Sequence, residues 1–398
     1  MKFDQALKII LSKAPMLGRR QLPLAQSFGR VCTDNNRARL AVPCYDQSTR
    51  DGYVVSGDGR AVSTNEFAYK ICGEIAAGPA KKLSITKGQA YRIMTGGFVP
   101  QGADRVIAQE HCRVLAEEVL IGPDFLSANN RFIRKHGSEH GADDRIVAPG
   151  TRLNENHIAL LAAAGNTEVE VYRRPRVAFF CSGSELVMTG DSLLNGQKIS
   201  SNHYLLNCLI TNHGGIGENY GVVADDKEAI QDLLTHIVES GIDIVISTGG
   251  VGPGKYDLFK RILRETEAEL IYDSLSVRPG RSTLFAVYRE ALYFGLPGPP
   301  PAVNILFHEL IGPVIRKMQG MEGSGNRRVL ACLEHDISLK SDDVLCFSDG
   351  VYGFDDGRIT VRYPGSLEMP NCFILLEPGT SLFTKNEMVP ISPIETRY

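Results

Sequence analysis

No Cys-x-x-Cys pair occurs among the nine cysteines of this 398-residue chain, so neither a zinc site nor a disulfide framework is indicated. Scattered single cysteines suit buried thiols in a reducing compartment. An excess of one charge is missing too. The formal net charge is −3, which supplies no basic field and argues against nucleic acid as a partner. No apolar run reaches membrane-spanning length. Met1-Lys-Phe-Asp-Gln opens a polar, helix-like segment where a secretory leader would carry an apolar stretch. Internal repeats and low-complexity tracts are absent. The expectation is a soluble, cytoplasmic, globular protein of about two to four domains with no membrane partner.

What the chain does have is glycine in one telling place. Ser247-Thr-Gly-Gly-Val-Gly-Pro-Gly-Lys-Tyr-Asp257 follows an apolar run at 242–246 and precedes Leu258-Phe-Lys-Arg-Ile-Leu-Arg, which has helical spacing. Strand, glycine-rich loop and helix form a context in which backbone N–H groups and a helix N-terminus hold an anion. Gly249, Gly250 and Gly252 keep side chains out of that approach. The stretch fits the first seven positions of a P-loop, but Tyr256 stands where Ser or Thr would ligate magnesium. Lys255 likewise breaks the dinucleotide fingerprint. On the loop alone, Asp257 reads equally as a helix N-cap or as a ligand.

Around this loop the chain changes style several times. Phe3, Ala6, Ile9, Ile10 and Leu11 share one face of an opening helix. From about residue 42, short alternating runs such as Tyr91-Arg-Ile-Met and Arg105-Val-Ile-Ala suggest a small β unit. A helix at 155–164, ended by Gly165, resumes the earlier style, so the β unit reads as an insertion. Strands and helices alternate from about residue 176, which predicts a parallel, doubly wound sheet. Polar clusters then fall at predicted strand ends: 182–185, Asp225-Asp226, 248–257 and 295–301. Ligands of such sheets lie outside the strand C-termini, so these clusters are expected at one crevice. Beyond Gly323, alternation with Asp-Gly turns suits a small β-barrel or sandwich.

The chemistry of the clusters is consistent. Arg278-Pro-Gly-Arg281 sets two guanidinium groups around a turn, able to bind an oxyanion; alone, it also reads as a turn with two solvated arginines. Glu185, Asp225, Asp226 and Asp257 are carboxylates at predicted strand ends. Facing an anionic ligand, carboxylates need a cation between, and Mg²⁺ is the natural one.

Tyr45-Asp-Gln-Ser-Thr-Arg-Asp51-Gly-Tyr53, Arg92-Ile-Met-Thr95-Gly-Gly, Pro100-Gln-Gly-Ala-Asp104, the 247–257 loop, Arg278-Pro-Gly-Arg281 and Gly295-Leu-Pro-Gly298 occur in this order. In them the chain resembles the molybdenum insertases, the molybdopterin molybdotransferases that include the C-terminal part of gephyrin. The resemblance covers nearly the whole chain. It implies an α/β multidomain fold: a linker domain (1–41 and 136–172), an inserted β domain (42–135), a doubly wound molybdopterin-binding domain (173–322) and a C-terminal β-barrel (323–398). It also implies a homodimer, a transient adenylyltransferase partner, and a reaction in which adenylylated molybdopterin and molybdate give molybdenum cofactor and AMP with Mg²⁺.

By the same resemblance, Asp51 and Thr95 belong to a cleft wall that a second subunit can complete. Arg134 and Glu139 match an Arg-x-x-Gly-x-acid element in which Asp is usual at the last place. Glu185, Asp225, Asp226 and Asp257 organise Mg²⁺ and the pterin nucleotide, with Ser182, Pro297 and Gly298 alongside. The chain departs from the family at Arg50, at Arg278 and Arg281, where lysines are usual, and at Pro299-Pro-Pro301 in place of an Asn-Pro turn. These departures motivate the alternative of a non-catalytic paralogue that binds a molybdopterin compound or a protein. The near P-loop supports a third reading, a nucleotide hydrolase.

Overall fold

The computed structural model describes the chain except residues 64, 80, 81, 130, 253–257, 341, 342 and 395–398. Its central sheet has six strands in the order Ile216–Val223, Arg176–Ser182, Ile244–Thr248, Ala291–Leu296, Leu284–Tyr288 and Glu269–Tyr272. The first four are parallel. The last two each pair antiparallel with the strand before them in this order, and they extend the expected parallel sheet at one edge.

Successive residues of these strands serve different cores, as the two-residue period requires. Val177, Phe179, Ile244 and Ile246 pack with Leu206 and Ile210 of the helix Asn202–Asn212 and with the helical segment 300–318. Ala178, Phe180 and Val245 pack with Ile230 and Leu234 of the helix Lys227–Glu239 and with Phe259 and Ile262 of the helix Leu258–Glu265. Both faces are covered, which is why Arg176–Ser182 is a nearly continuous buried run. The doubly wound sheet is as expected.

Strand order locates the crevice. From Arg176–Ser182 the chain crosses by the 202–212 helix to the neighbour on one side. It returns by the 227–239 helix, on the opposite face, to the neighbour on the other side. The winding therefore reverses between Arg176–Ser182 and Ile244–Thr248, the place where open α/β sheets bind ligands.

The other regions are built on β structure. Seven strands between Gly52 and Ile121 form one mixed sheet over two small cores. Residues on either side of it share a third core. Leu22, Cys32 and Ala38 pack with Ile146, Leu161 and Val171, and Arg19–Pro23 pairs with Glu168–Tyr172. The helix Glu155–Ala163 starts in a capping box between Asn154 and His157. The opening helix Phe3–Lys13 packs elsewhere, with Phe3, Ala6 and Ile10 in the core of the central sheet. Past residue 328, strands Val329–Leu333, Leu345–Asp355, Arg358–Arg362, Cys372–Leu376 and Met388–Pro393 close on themselves. That closed barrel leaves no free strand edge. Val277–Arg278 adds to it in parallel beside Leu345, which ties the central unit to the barrel.

Candidate active site

At the winding reversal, Ser182 ends its strand and is buried. Its hydroxyl donates to Asp225 Oδ1. Asp225 lies two residues beyond Val223, whose register partner is Ser182. The glycine loop passes directly over this pair. Gly249 has φ +86°, and a Cβ there would sit 2.1 Å from the Ser182 carbonyl oxygen. Gly250 has φ +63°, and a Cβ would meet the Phe259 ring at 2.5 Å. Both positions need glycine for conformation and for space. Gly252 has nothing within 4 Å of its Cβ direction. Asp257, with residues 253–256, lies outside the described residues.

Neighbouring Asp225 and Asp226 have different work. Asp226 is the N-cap of the 227–239 helix, its carboxylate accepting the Ala229 N–H at 2.8 Å. Such a cap stabilises by about 1 kcal/mol. Glu185 is exposed at the base of a surface loop, where its carbonyl accepts the Lys198 N–H at 2.8 Å. Among the described residues no group of three His, Cys, Asp or Glu side chains is gathered for a metal. The oxygens present at the crevice, the carboxylate of Asp225 and the hydroxyl of Ser182, still suit Mg²⁺, which commonly takes one or two carboxylates plus phosphate and water.

Pro297 and Gly298 follow the strand Ala291–Leu296, and Gly298 leads to residues that the sequence did not flag. Asn202 Nδ2 donates to the Gly298 carbonyl at 2.8 Å and to Thr248 Oγ1 at 3.3 Å. It thereby bridges two strand ends from the start of the 202–212 helix. Asn202 is 7% exposed and His203 3%, yet Asn202 Oδ1 and His203 Nε2 have no partner among the described residues. Buried polar atoms left unpaired in a crevice are the mark of a ligand-facing surface. The signal in the sequence was a Ser-Asn-His run opening the first crossover helix.

The two helix N-termini at this edge also differ. Pro299 is the N-cap of the helix Pro300–Leu306, and Pro300 and Pro301 open it, so its first N–H donors are missing. The 202–212 helix keeps its first N–H groups, and its N-cap Ser201 makes no side-chain cap. Of these two helix ends, the latter is the one that can offer N–H donors to an anion.

Arg278 and Arg281 flank the turn that enters Leu284–Tyr288, whose Leu284 is paired with Gly295. That register puts the turn at the carbonyl end of the parallel strands. The Arg278 guanidinium is 3.7 Å from Asp343. Among the described residues no carboxylate pairs with exposed Arg281. Arg281 is the more available cation.

The remaining residues of interest lie on the 52–121 sheet and its approach. Asp51 Oδ1 accepts from the Thr95 N–H at 2.7 Å and the Thr95 hydroxyl at 2.8 Å. The Thr95 N–H first, and its hydroxyl second, hold the Asp51 carboxyl below the usual carboxylate range. The Gly52–Ile93 register sets Asp51 and Thr95 side by side. Arg50 turns to the Phe132 ring, 5.9 Å from its centroid, so Asp51 keeps Thr95 as its hydrogen-bond partner. Arg134 and Glu139 form an exposed ion pair at 3.1 Å. Among the described residues, no hydrogen bond or ion pair joins this wall to the Ser182–Asp225 crevice.

Comparison with known proteins agrees with this architecture. The family described as MoeA N-terminal region (domain I and II) matches residues 1–165. The family described as probable molybdopterin binding domain matches residues 185–317. A molybdopterin molybdenumtransferase from Nostoc sp. is 33% identical over 87% of this chain and 82% of its own length. The chain belongs to the molybdopterin molybdenumtransferase family. A member from Haemophilus influenzae is 28% identical over 99% of this chain and 98% of its own. A crystal structure of a molybdopterin biosynthesis protein from Pyrococcus horikosii has a TM-score of 0.83 at 27% identity, with all of both chains covered. Within this family the matched molybdopterin-binding region contains Asp225, Asn202, the glycine loop and the Arg278–Arg281 turn.

Proposed function

We propose that this chain is a molybdopterin molybdotransferase of molybdenum cofactor biosynthesis, which combines adenylylated molybdopterin with molybdate and releases AMP. One observation carries the reading. At the winding reversal, a loop with two positions that only glycine fits, Gly249 and Gly250, crosses a buried Ser182 bonded to Asp225, beside the acceptor of Asn202 that has no partner among the described residues. That is an anion-tolerant crevice with oxygen ligands at its edge. The non-catalytic alternative is not favoured, since the curated relatives are named as transferases.

The roles follow from position. The N–H groups at the start of the 202–212 helix and the 249–250 loop hold the nucleotide phosphates. Ser182 and Asp225 fix the phosphate geometry, and Asp226 shapes the loop by capping its helix. Asp257 stays a proposed contributor through its place after the loop. Arg281, assisted by Arg278, brings molybdate to the dithiolene sulfurs, and Pro297 and Gly298 form the facing turn. Mg²⁺, held by Asp225 with phosphate and water, supplies charge neutralisation when bound. Bringing reactants together in that arrangement is the main catalytic resource, because the dithiolene is itself the nucleophile towards molybdenum.

The same reading assigns Asp51, Thr95, Arg134 and Glu139 to a wall that a second subunit lends to the crevice, making the functional unit a homodimer. It takes the units 1–41 with 136–172, 42–135, 173–322 and 323–398 as domains. It places the protein in the cytoplasm, consistent with nine unpaired cysteines, with a molybdopterin adenylyltransferase as the supplier of substrate. Purified protein given adenylylated molybdopterin, molybdate and Mg²⁺ releases AMP and yields cofactor that activates an apo-reductase. Absence of both products under those conditions overturns the reading.

A further inference from the structure

A second cavity lies between the central unit and the barrel, at the other end of the 202–212 helix. It has a volume of about 630 Å³ and is bounded by His213, His308, Arg327, Tyr352, Phe373 and Ile394 among others. His213 follows that helix, about 16 Å from Asn202 along its axis at the helical rise. The cavity is therefore separate from the crevice described above. Its volume falls in the range of small-molecule sites.

The hydrogen bonds behind this cavity fix what it presents. Arg316 Nη1 lies 3.2 Å from His213 Nδ1. A guanidinium can only donate, so His213 Nδ1 accepts and its proton sits on Nε2. His213 Nε2 lies 3.2 Å from His308 Nδ1, which must then accept in turn. The proton of neutral His308 is left on Nε2, the ring nitrogen that does not face His213. Burial keeps both rings neutral: it pushes His213 well down and His308 down to about 4. His308 therefore offers a hydrogen-bond donor to the cavity and no metal-binding lone pair.

Two further observations give the site a built character. His308 lies in a π-helical turn, Phe307–Ile311, inside the helical segment 300–318. Such turns are rare and recur at functional sites. The same turn seats fully buried Glu309 against Arg328 at 2.5 Å and Asn326 at 3.0 Å, which anchors the segment leading to the barrel. Arg316 adds bonds to the Ser324 carbonyl at 3.0 Å and to Asn326 Oδ1 at 2.7 Å. With its backing anchored, His308 lines the cavity together with exposed Arg327, exposed Glu322 and the part-exposed apolar residues Val329 and Ile394, and its ring packs 5.6 Å from that of fully buried Phe373.

The geometry points to a second small-molecule site that takes an organic carboxylate with an apolar body, its anionic end held by His308 Nε2–H and Arg327 and its body against Val329 and Ile394. The site is independent of the catalytic reading. Its test uses the full-length protein with 3-phenylpropionate as probe and 3-phenylpropanamide as the uncharged control, followed by saturation-transfer NMR and calorimetry. The carboxylate binds saturably, and it does not displace adenylylated molybdopterin. The amide binds at least about tenfold more weakly, as does the carboxylate to Arg327→Ala and to His308→Phe, since each loses a charge-assisted hydrogen bond. Arg327→Ala leaves AMP release unchanged. If His308→Phe does not fold, the amide and Arg327→Ala decide the matter. Absence of saturable binding at millimolar probe, equal binding of the amide, or full affinity in Arg327→Ala overturns the proposal.

Discussion

Two carboxylates in this protein are bound by hydroxyl groups in opposite settings. Asp51 is exposed and takes both its hydrogen bonds from exposed Thr95. Asp225 takes its bond from Ser182, which is 3% exposed and lies beneath the obligatory glycines Gly249 and Gly250. The first arrangement is complete in itself. The second borders buried atoms, Asn202 Oδ1 and His203 Nε2, that have no partner among the described residues. A satisfied exposed pair tunes charge at a wall, whereas an unsatisfied buried surface awaits a ligand. On the proposed function, the difference separates the site that positions substrate from the wall that completes it.

The largest way to break that comparison is at the loop. Gly249→Ala forces a Cβ into the Ser182 carbonyl oxygen. It should cost on the order of 2 kcal/mol or more in thermal unfolding and abolish AMP release. The same substitution at Gly252, which faces open space, should leave stability within about 0.5 kcal/mol.

Next in size is Asn202→Ala. It removes the bridge between Gly298 and Thr248, and KM for the pterin nucleotide should rise roughly tenfold, as for one lost hydrogen bond in a site. A smaller split is expected between the arginines. Arg281→Ala should raise the molybdate requirement about tenfold while the dimer persists, whereas Arg278→Ala, whose partner is Asp343, should change it less. An unaltered molybdate dependence in Arg281→Ala would contradict its assigned role.

The subtlest effect concerns pH. The Asp51 carboxyl lies below its ordinary value because of Thr95, so its ionised form is favoured in the folded protein. That stabilisation is present above the unfolded value and is lost as pH falls through the folded one. Thr95→Val removes the hydroxyl bond and keeps the N–H bond. The acid limb of the rate profile should move to higher pH in the variant, and an unmoved limb would show that Asp51 does not govern it.

Much of this was legible in the chain. Apolar strand runs and the polar clusters that end them are local signals, so the doubly wound sheet and the crevice at its carbonyl edge could be read directly. The closing barrel was legible as alternation, although its closure depends on pairings between distant strands. Other features had no local signal. Asp225 and Asp226 look alike in sequence, and only the start of the 227–239 helix makes one a cap. Arg50 stands next to Asp51 in sequence, and only the fold brings the distant Phe132 ring under its guanidinium. Asn202 became conspicuous only when burial left its Oδ1 unpaired.

The central claim, that the Ser182–Asp225 crevice is where the pterin nucleotide reacts, is tested most directly by single-turnover AMP release from adenylylated molybdopterin with molybdate and Mg²⁺. Asp225→Asn should slow that release roughly a hundredfold, as misplacement of a reacting group does, with the unfolding temperature little changed. Release at the unsubstituted rate would contradict the account.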